Sequence, residues 1–148
     1  MSKYSSNQII TVFEKWYKKA PKLDNNVKNL IINYIPWVAI IFGLIGVILS
    51  VPELGVITIV SPFAAIGGIN GISWFGLHFI LTLIILIASV LLLAAYPGTK
   101  ARKINGWKLF FWSEFVQAFY SLITLSLLGL IIAGFIFYLL FQVKSHYS

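Results

Sequence analysis

The stretch YPGTKARKINGWK, residues 96–108, decides the fold. It holds Pro97, Gly98 and Gly106, residues that break helices and build turns. Its four cations, Lys100, Arg102, Lys103 and Lys108, are not matched by any carboxylate. An almost unbroken apolar run, residues 74–96, precedes it, and another, residues 109–141, follows it. A basic loop between two such runs is the pattern of the cytoplasmic end of a membrane hairpin.

Composition agrees with that reading. The chain of 148 residues is 59% hydrophobic and only 10% charged. A soluble domain carries about 25% charged residues, so this chain lacks the polar surface to face water on all sides. Cysteine is absent, which excludes disulfides, thiolate metal sites and a cysteine nucleophile. The net charge of +7 comes from cations that flank apolar runs. Without a nucleic-acid motif, the partner this implies is anionic lipid headgroup rather than nucleic acid.

The first long apolar run starts only at Leu30, so the N-terminus does not read as a signal peptide. Instead, Ser5 or Ser6 is expected to cap a helix that runs to about Ala20 and stops at Pro21. Ile9, Ile10, Val12, Phe13, Trp16, Tyr17 and Ala20 fall mostly on one side, against Asn7, Thr11, Glu14, Lys15, Lys18 and Lys19. A basic amphipathic helix with aromatic residues on its apolar side is expected to lie in the membrane interface. The alternative is a helix folded back on the protein's own helix ends, or one that binds a partner. Residues 1–29 thus form an interfacial helix and a polar joint, and residues 30–148 a single transmembrane domain.

The first span is expected over residues 30–51, about 33 Å of helix. Ala39 with Gly43, and Gly46 with Ser50, are small-xxx-small pairs that let another helix approach closely, within the chain or in a homo-oligomer. Residues 52–73 carry Pro52, Pro62 and several glycines and read as an exoplasmic loop that dips into the interface. A re-entrant loop is the sharper alternative. Residues 74–96 form the second span, and residues 97–105 the cytoplasmic loop. The run that follows, residues 109–141, is too long for one untilted span of about 20 residues. With a break near residues 126–129 it becomes two helices, 106–126 and 128–143. All eleven Lys and Arg then lie on one side, six before the first span, four in the loop, and Lys144. The expected fold is an all-α integral membrane protein, a four-helix transmembrane bundle with both termini cytoplasmic and an N-terminal amphipathic interfacial helix.

Glu114, Gln117, Ser121 and Thr124 are spaced 3, 4 and 3 and form one polar stripe on the third span. Such a stripe points into the bundle or a water-filled cavity, and an ionisable group on it is a functional-site candidate. The plainer reading pairs Glu114 with Arg102, Lys103 or Lys108 and joins the stripe to Asn33, Thr82 or Ser89 through interhelical hydrogen bonds. His78 is either a relay or a simply hydrogen-bonded ring. Lys15, Lys18, Lys19, Lys100, Arg102, Lys103 and Lys108 are the expected contacts to lipid headgroups or a partner. No Walker A, G-x-S-x-G, H-E-x-x-H or G-x-G-x-x-G motif is present, so no catalytic residue, metal or cofactor is expected and an enzyme is not indicated.

The string P-G-x-K-A-R-K-x-x-G-W, together with the closing residues 137–147, resembles small uncharacterised bacterial membrane proteins of candidate-phylum type. The resemblance covers the chain from Trp74 onward. It implies two short closing helices and so the four-span count, and it brings no activity, substrate or cofactor; the cytoplasmic-membrane location is the expectation from the charge pattern. Two functions stand against each other: a non-catalytic scaffold or accessory subunit of another membrane protein, and a small oligomeric transporter or channel using the stripe of the third span.

Overall fold

The computed structural model describes residues 3–148, with side chains from Gln8 onward except that of Ala65. The described residues form five α-helices: α1 (Lys3–Tyr17), α2 (Asn25–Val60), α3 (Gly68–Lys100), α4 (Ile104–Ile123) and α5 (Leu127–Val143). Short 3-10 segments, Ser61–Gly67 and Lys144–His146, join α2 to α3 and end the chain after α5. The α1 helix already begins at Lys3, so Ser5 and Ser6 sit inside its first turn rather than at a cap.

The expected loop over residues 52–73 is corrected. The α2 helix runs 36 residues, straight through Pro52, and α3 starts at Gly68, leaving only the 3-10 segment between them. A proline removes one backbone hydrogen bond from a helix, a loss that packing along the whole length outweighs. That packing is supplied by small residues. A methyl group on Gly43 would lie 2.8 Å from Leu93 Cγ, and one on Gly46 would collide with the Ser89 hydroxyl. The small-xxx-small pairs of α2 therefore serve its packing on α3 inside one chain. At the tip, Gly68 takes φ +64, a left-handed conformation that suits glycine.

The other two turns fall close to where the sequence places them. The α3 helix continues through Pro97 to Lys100, so the basic loop shrinks to residues 101–103. The second break is at residues 124–126, where the Ser126 hydroxyl accepts a hydrogen bond from the Gly129 N–H and caps α5.

These helices have unequal reach. Ser113 Oγ of α4 donates to the Ala88 carbonyl of α3 at 2.7 Å, which sets the two helices level. From that point α4 continues ten residues to Ile123, while α3 continues twenty to Gly68. At 1.5 Å per residue, the α2–α3 tip stands about 15 Å beyond the α4–α5 turn. The core lies at the opposite, basic end. There Ile10, Ile32, Trp107, Phe111, Phe137 and Leu140 of all the helices but α3, with Leu92 and Ala95 of α3, form one buried cluster.

The α1 helix joins that cluster. Phe13 meets Phe111, Phe115 and Phe137 at ring distances of 5.9, 6.3 and 5.2 Å. The Tyr17 hydroxyl donates to the Gly134 carbonyl at 3.1 Å. So the side holding Ile9, Ile10, Phe13 and Tyr17, expected against lipid, is covered by the protein's own α4 and α5. Only the flank with Val12 and Trp16 remains exposed, 55% and 78%.

Candidate functional site

The basic turn is built on two glycines. A Cβ on Gly98 would lie 2.6 Å from Gly106 Cα, and one on Gly106 would run into the Gly98 carbonyl carbon. No other residue type permits the end of α3 and the start of α4 to touch backbone to backbone. Three backbone bonds close the turn: Ala101 N–H to Pro97 O (3.0 Å), Arg102 N–H to Thr99 O (3.1 Å) and Lys103 N–H to Gly98 O (2.8 Å). Arg102 takes φ 54, the left-handed residue of a helix C-terminal motif. Trp107 then enters the core completely, its indole N–H donating to Leu140 O of α5 at 2.9 Å.

The C-terminal residues clasp this turn. Ser148 N–H donates to Arg102 O at 3.1 Å, and Ile104 N–H donates to Ser148 O at 3.0 Å. Tyr147 is buried beneath, and its hydroxyl is fully removed from solvent without a hydrogen-bond partner. Burial pushes that hydroxyl up to about 12, with nearby Arg102 pulling partly the other way. Arg102 also reaches Asn33 Oδ1 on α2 at 3.5 Å. Turn, C-terminus and α2 thus form one connected basic end.

On the other side of that end, Lys144 Nζ pairs with Glu14 Oε2 at 2.6 Å and lies 5.5 Å from the Trp107 ring. Lys18 approaches the same carboxylate at 3.9 Å. The joint after α1 is pinned to α5: Tyr138 Oη and Gln142 Nε2 both donate to Pro21 O, at 2.7 and 3.0 Å, and Leu23 N–H donates to Gln142 Oε1. Between the two lies a cavity of about 490 Å³, whose walls include Lys18, Lys22, Lys28 and Lys144.

The polar stripe does not act as one unit. Glu114 is only 8% exposed, and Ser121 is buried against Gly129 of α5. Gln117 is half-buried, and Thr124 is exposed with its hydroxyl turned back to Tyr120 O. Among the described residues Glu114 has neither an ion pair nor a hydrogen bond, so the expected pairing with Arg102, Lys103 or Lys108 does not form. The expected partners are likewise elsewhere. Thr82 and Ser89 donate to carbonyls of their own helix, at His78 and Ile85. His78 stacks on Trp74 at 3.9 Å and bonds its carbonyl. The interhelical bond the stripe was expected to supply comes instead from Ser113, one residue away, on the face toward α3.

Of the expected headgroup cations, Lys15, Lys18, Lys19, Lys100, Arg102 and Lys103 are exposed, and Lys108 is half-buried. Lys22, Lys28 and Lys144 were legible only as charges. That they share one cavity depends on the fold of α1 against α5, which leaves no local sequence signal.

No protein-family model, curated protein or solved structure matches the chain. The class is set by the helices themselves. The described residues are all-helical, and among them three helices, within Asn25–Ala64, Gly68–Lys100 and Leu127–His146, are long and apolar enough to cross a membrane.

Proposed function

We propose that the chain is a small multi-pass protein of the bacterial cytoplasmic membrane that serves as a non-catalytic scaffold or accessory subunit. In this reading α2 to α5 are four crossings, with the 20-residue α4 as the least apolar of them. The basic end, with both termini, faces the cytoplasm, because the α2–α3 tip and the α4–α5 turn carry no Lys or Arg. Lys15, Lys19 and Trp16 on the outer flank of α1 meet the anionic headgroups.

The observation that carries the scaffold reading is the projecting tip. Beyond the level of α4 and α5 it exposes Ile59 (74%), Ile66 (84%) and Ile69 (83%), with Glu53 the one charge near it. Two helices that run on past α4 and α5 leave a face on which a helix of another protein or of a second copy can pack in place of lipid. A photo-crosslinking residue at Ile66 should give a discrete protein adduct in native membranes that Ile69→Asp abolishes. Adducts to lipid alone would refute the scaffold.

A transporter or channel is the second reading, favoured by one observation, the buried and unpartnered Glu114. Reconstituted protein should show no pH-dependent flux that Glu114→Gln removes; such a flux would replace the scaffold with the transporter. For topology, a single cysteine at Ser148 should react only from the cytoplasmic side, in a chain otherwise free of thiols.

A further inference from the structure

We propose that the cavity between the end of α1, the joint after it and the end of α5 binds a phosphate group, carried by an anionic phospholipid in the membrane setting proposed above or free as inorganic phosphate. The inference rests on that membrane reading only for the lipid source. The site itself rests on geometry.

Four lysines from three parts of the chain converge on the cavity: Lys18, Lys22, Lys28 and Lys144. The one carboxylate among its lining residues, Glu14, is already engaged by Lys144 at 2.6 Å and approached by Lys18 at 3.9 Å. Lys22 and Lys28 have no ion pair among the described residues, so the cavity holds an uncompensated positive charge. Asp24, between them in sequence, does not line it and turns its carboxylate to the Asn25 N–H. A volume of about 490 Å³ suits a headgroup-sized ligand.

The backbone under two of the cations is held in place. The bonds from Tyr138 and Gln142 to Pro21 O, and from Leu23 N–H back to Gln142, fix the joint that carries Lys22. Lys28 is half-buried in the first turn of α2, whose N-terminal dipole adds positive potential. The backbone positions of Lys22 and Lys28 are thus set before a ligand arrives. Tyr17 and Phe141, stacked at 5.5 Å, supply an apolar wall suited to the glycerol end of a lipid.

Full-length protein in a neutral detergent is titrated with short-chain phosphatidylglycerol and, separately, with inorganic phosphate, and the thermal unfolding midpoint is followed. Each ligand-facing lysine near a membrane surface contributes about 1 kcal/mol, so Lys22→Gln with Lys28→Gln should weaken apparent affinity on the order of 30-fold. Lys22→Arg with Lys28→Arg should retain binding, and Lys100→Gln with Lys103→Gln, neither of which lines the cavity, should change it less than about threefold. A response to the lipid alone assigns the lipid source, and an equal response to phosphate assigns the free anion. Equal weakening in both glutamine pairs would reduce the effect to general surface charge and overturn the site, as would no response to either ligand. Resistance of the protein to carbonate extraction from native membranes is scored in parallel. Extraction would sink the membrane reading while leaving the phosphate titration as the test of the cavity.

Discussion

Adding one methyl group at the crossing of α3 and α4 should destabilise the protein out of proportion to its size. In Gly106→Ala the new Cβ would meet the Gly98 carbonyl carbon and the Thr99 nitrogen, and in Gly98→Ala it would sit 2.6 Å from Gly106 Cα and 2.8 Å from Gly106 N. Carbon atoms rest about 3.5–4.0 Å apart, so the helix ends must separate by about 1 Å. No flexible side chain is there to yield, because both obstacles are backbone. Separation also draws the fully buried Trp107 from Leu140 O, straining a 2.9 Å bond. Overpacking of this kind costs about 1–3 kcal/mol, and a weakened buried hydrogen bond adds up to about 1 kcal/mol. Alanine's better helix propensity returns at most about 1 kcal/mol. The net loss is on the order of 1–3 kcal/mol, a fall of roughly 3–10 °C in Tm for a chain of this length. Gly76→Ala is the matched control, since nothing lies within 4 Å of its Cβ position, and it should hold or raise Tm. Thermal unfolding in detergent, followed by tryptophan fluorescence, reads both. A Gly106→Ala protein as stable as the Gly76→Ala control would refute the backbone crossing.

Three further outcomes are expected. Glu114→Leu should raise the unfolding midpoint, by the equivalent of about 1–3 kcal/mol, because it removes a buried carboxyl without a partner; a lower midpoint would show that the carboxyl is held by a specific contact. Phe13→Ala should loosen α1 from α4 and α5 at a cost of about 2 kcal/mol and speed tryptic cleavage at Lys15, Lys18 and Lys19; unchanged cleavage would argue against the docked helix. Tyr147 ionises more easily unfolded, near its ordinary 10.0, than folded, where burial pushes it up to about 12. The stability from keeping it neutral is therefore complete below pH 10 and is lost as pH rises through 12, on the order of 1–2 kcal/mol. Tyr147→Phe should flatten that part of an alkaline stability profile, and an identical slope in the two proteins would disprove it.

Much of the helix order was legible in the residues. Apolar runs and the absence of cations mark where chain is shielded from water, and both are properties of local composition. Residues 101–103 and 124–126 turn close to the places where Pro97, Gly98 and Gly106, and Ser126 to Gly129, mark breaks. Proline misled at residue 52 because its cost is local while the support for α2 is not. Gly43 and Gly46 hold α2 on α3 well before Pro52, and Ile57 is buried beyond it. Glu114, Gln117 and Ser121 do share α4, while Thr124 falls in the turn after it, and helical phase alone does not say which neighbour each side chain meets. Ser113 found a carbonyl on α3, while Glu114 found nothing polar.

Composition and charge order alone determined that the chain is rich in apolar runs suited to membrane helices and that its cations fall at a few places between them, because hydrophobic burial and charge solvation act residue by residue. Tertiary structure decided the rest. It turned the apolar side of α1 onto α4 and α5 and laid Phe13 among Phe111, Phe115 and Phe137. It turned the glycines of residues 96–108 from loop formers into the contact that lets α3 and α4 cross. It also drew Lys18, Lys22, Lys28 and Lys144 around one cavity. Each of these depends on residues far apart in sequence meeting through packing, a relation that no local pattern encodes.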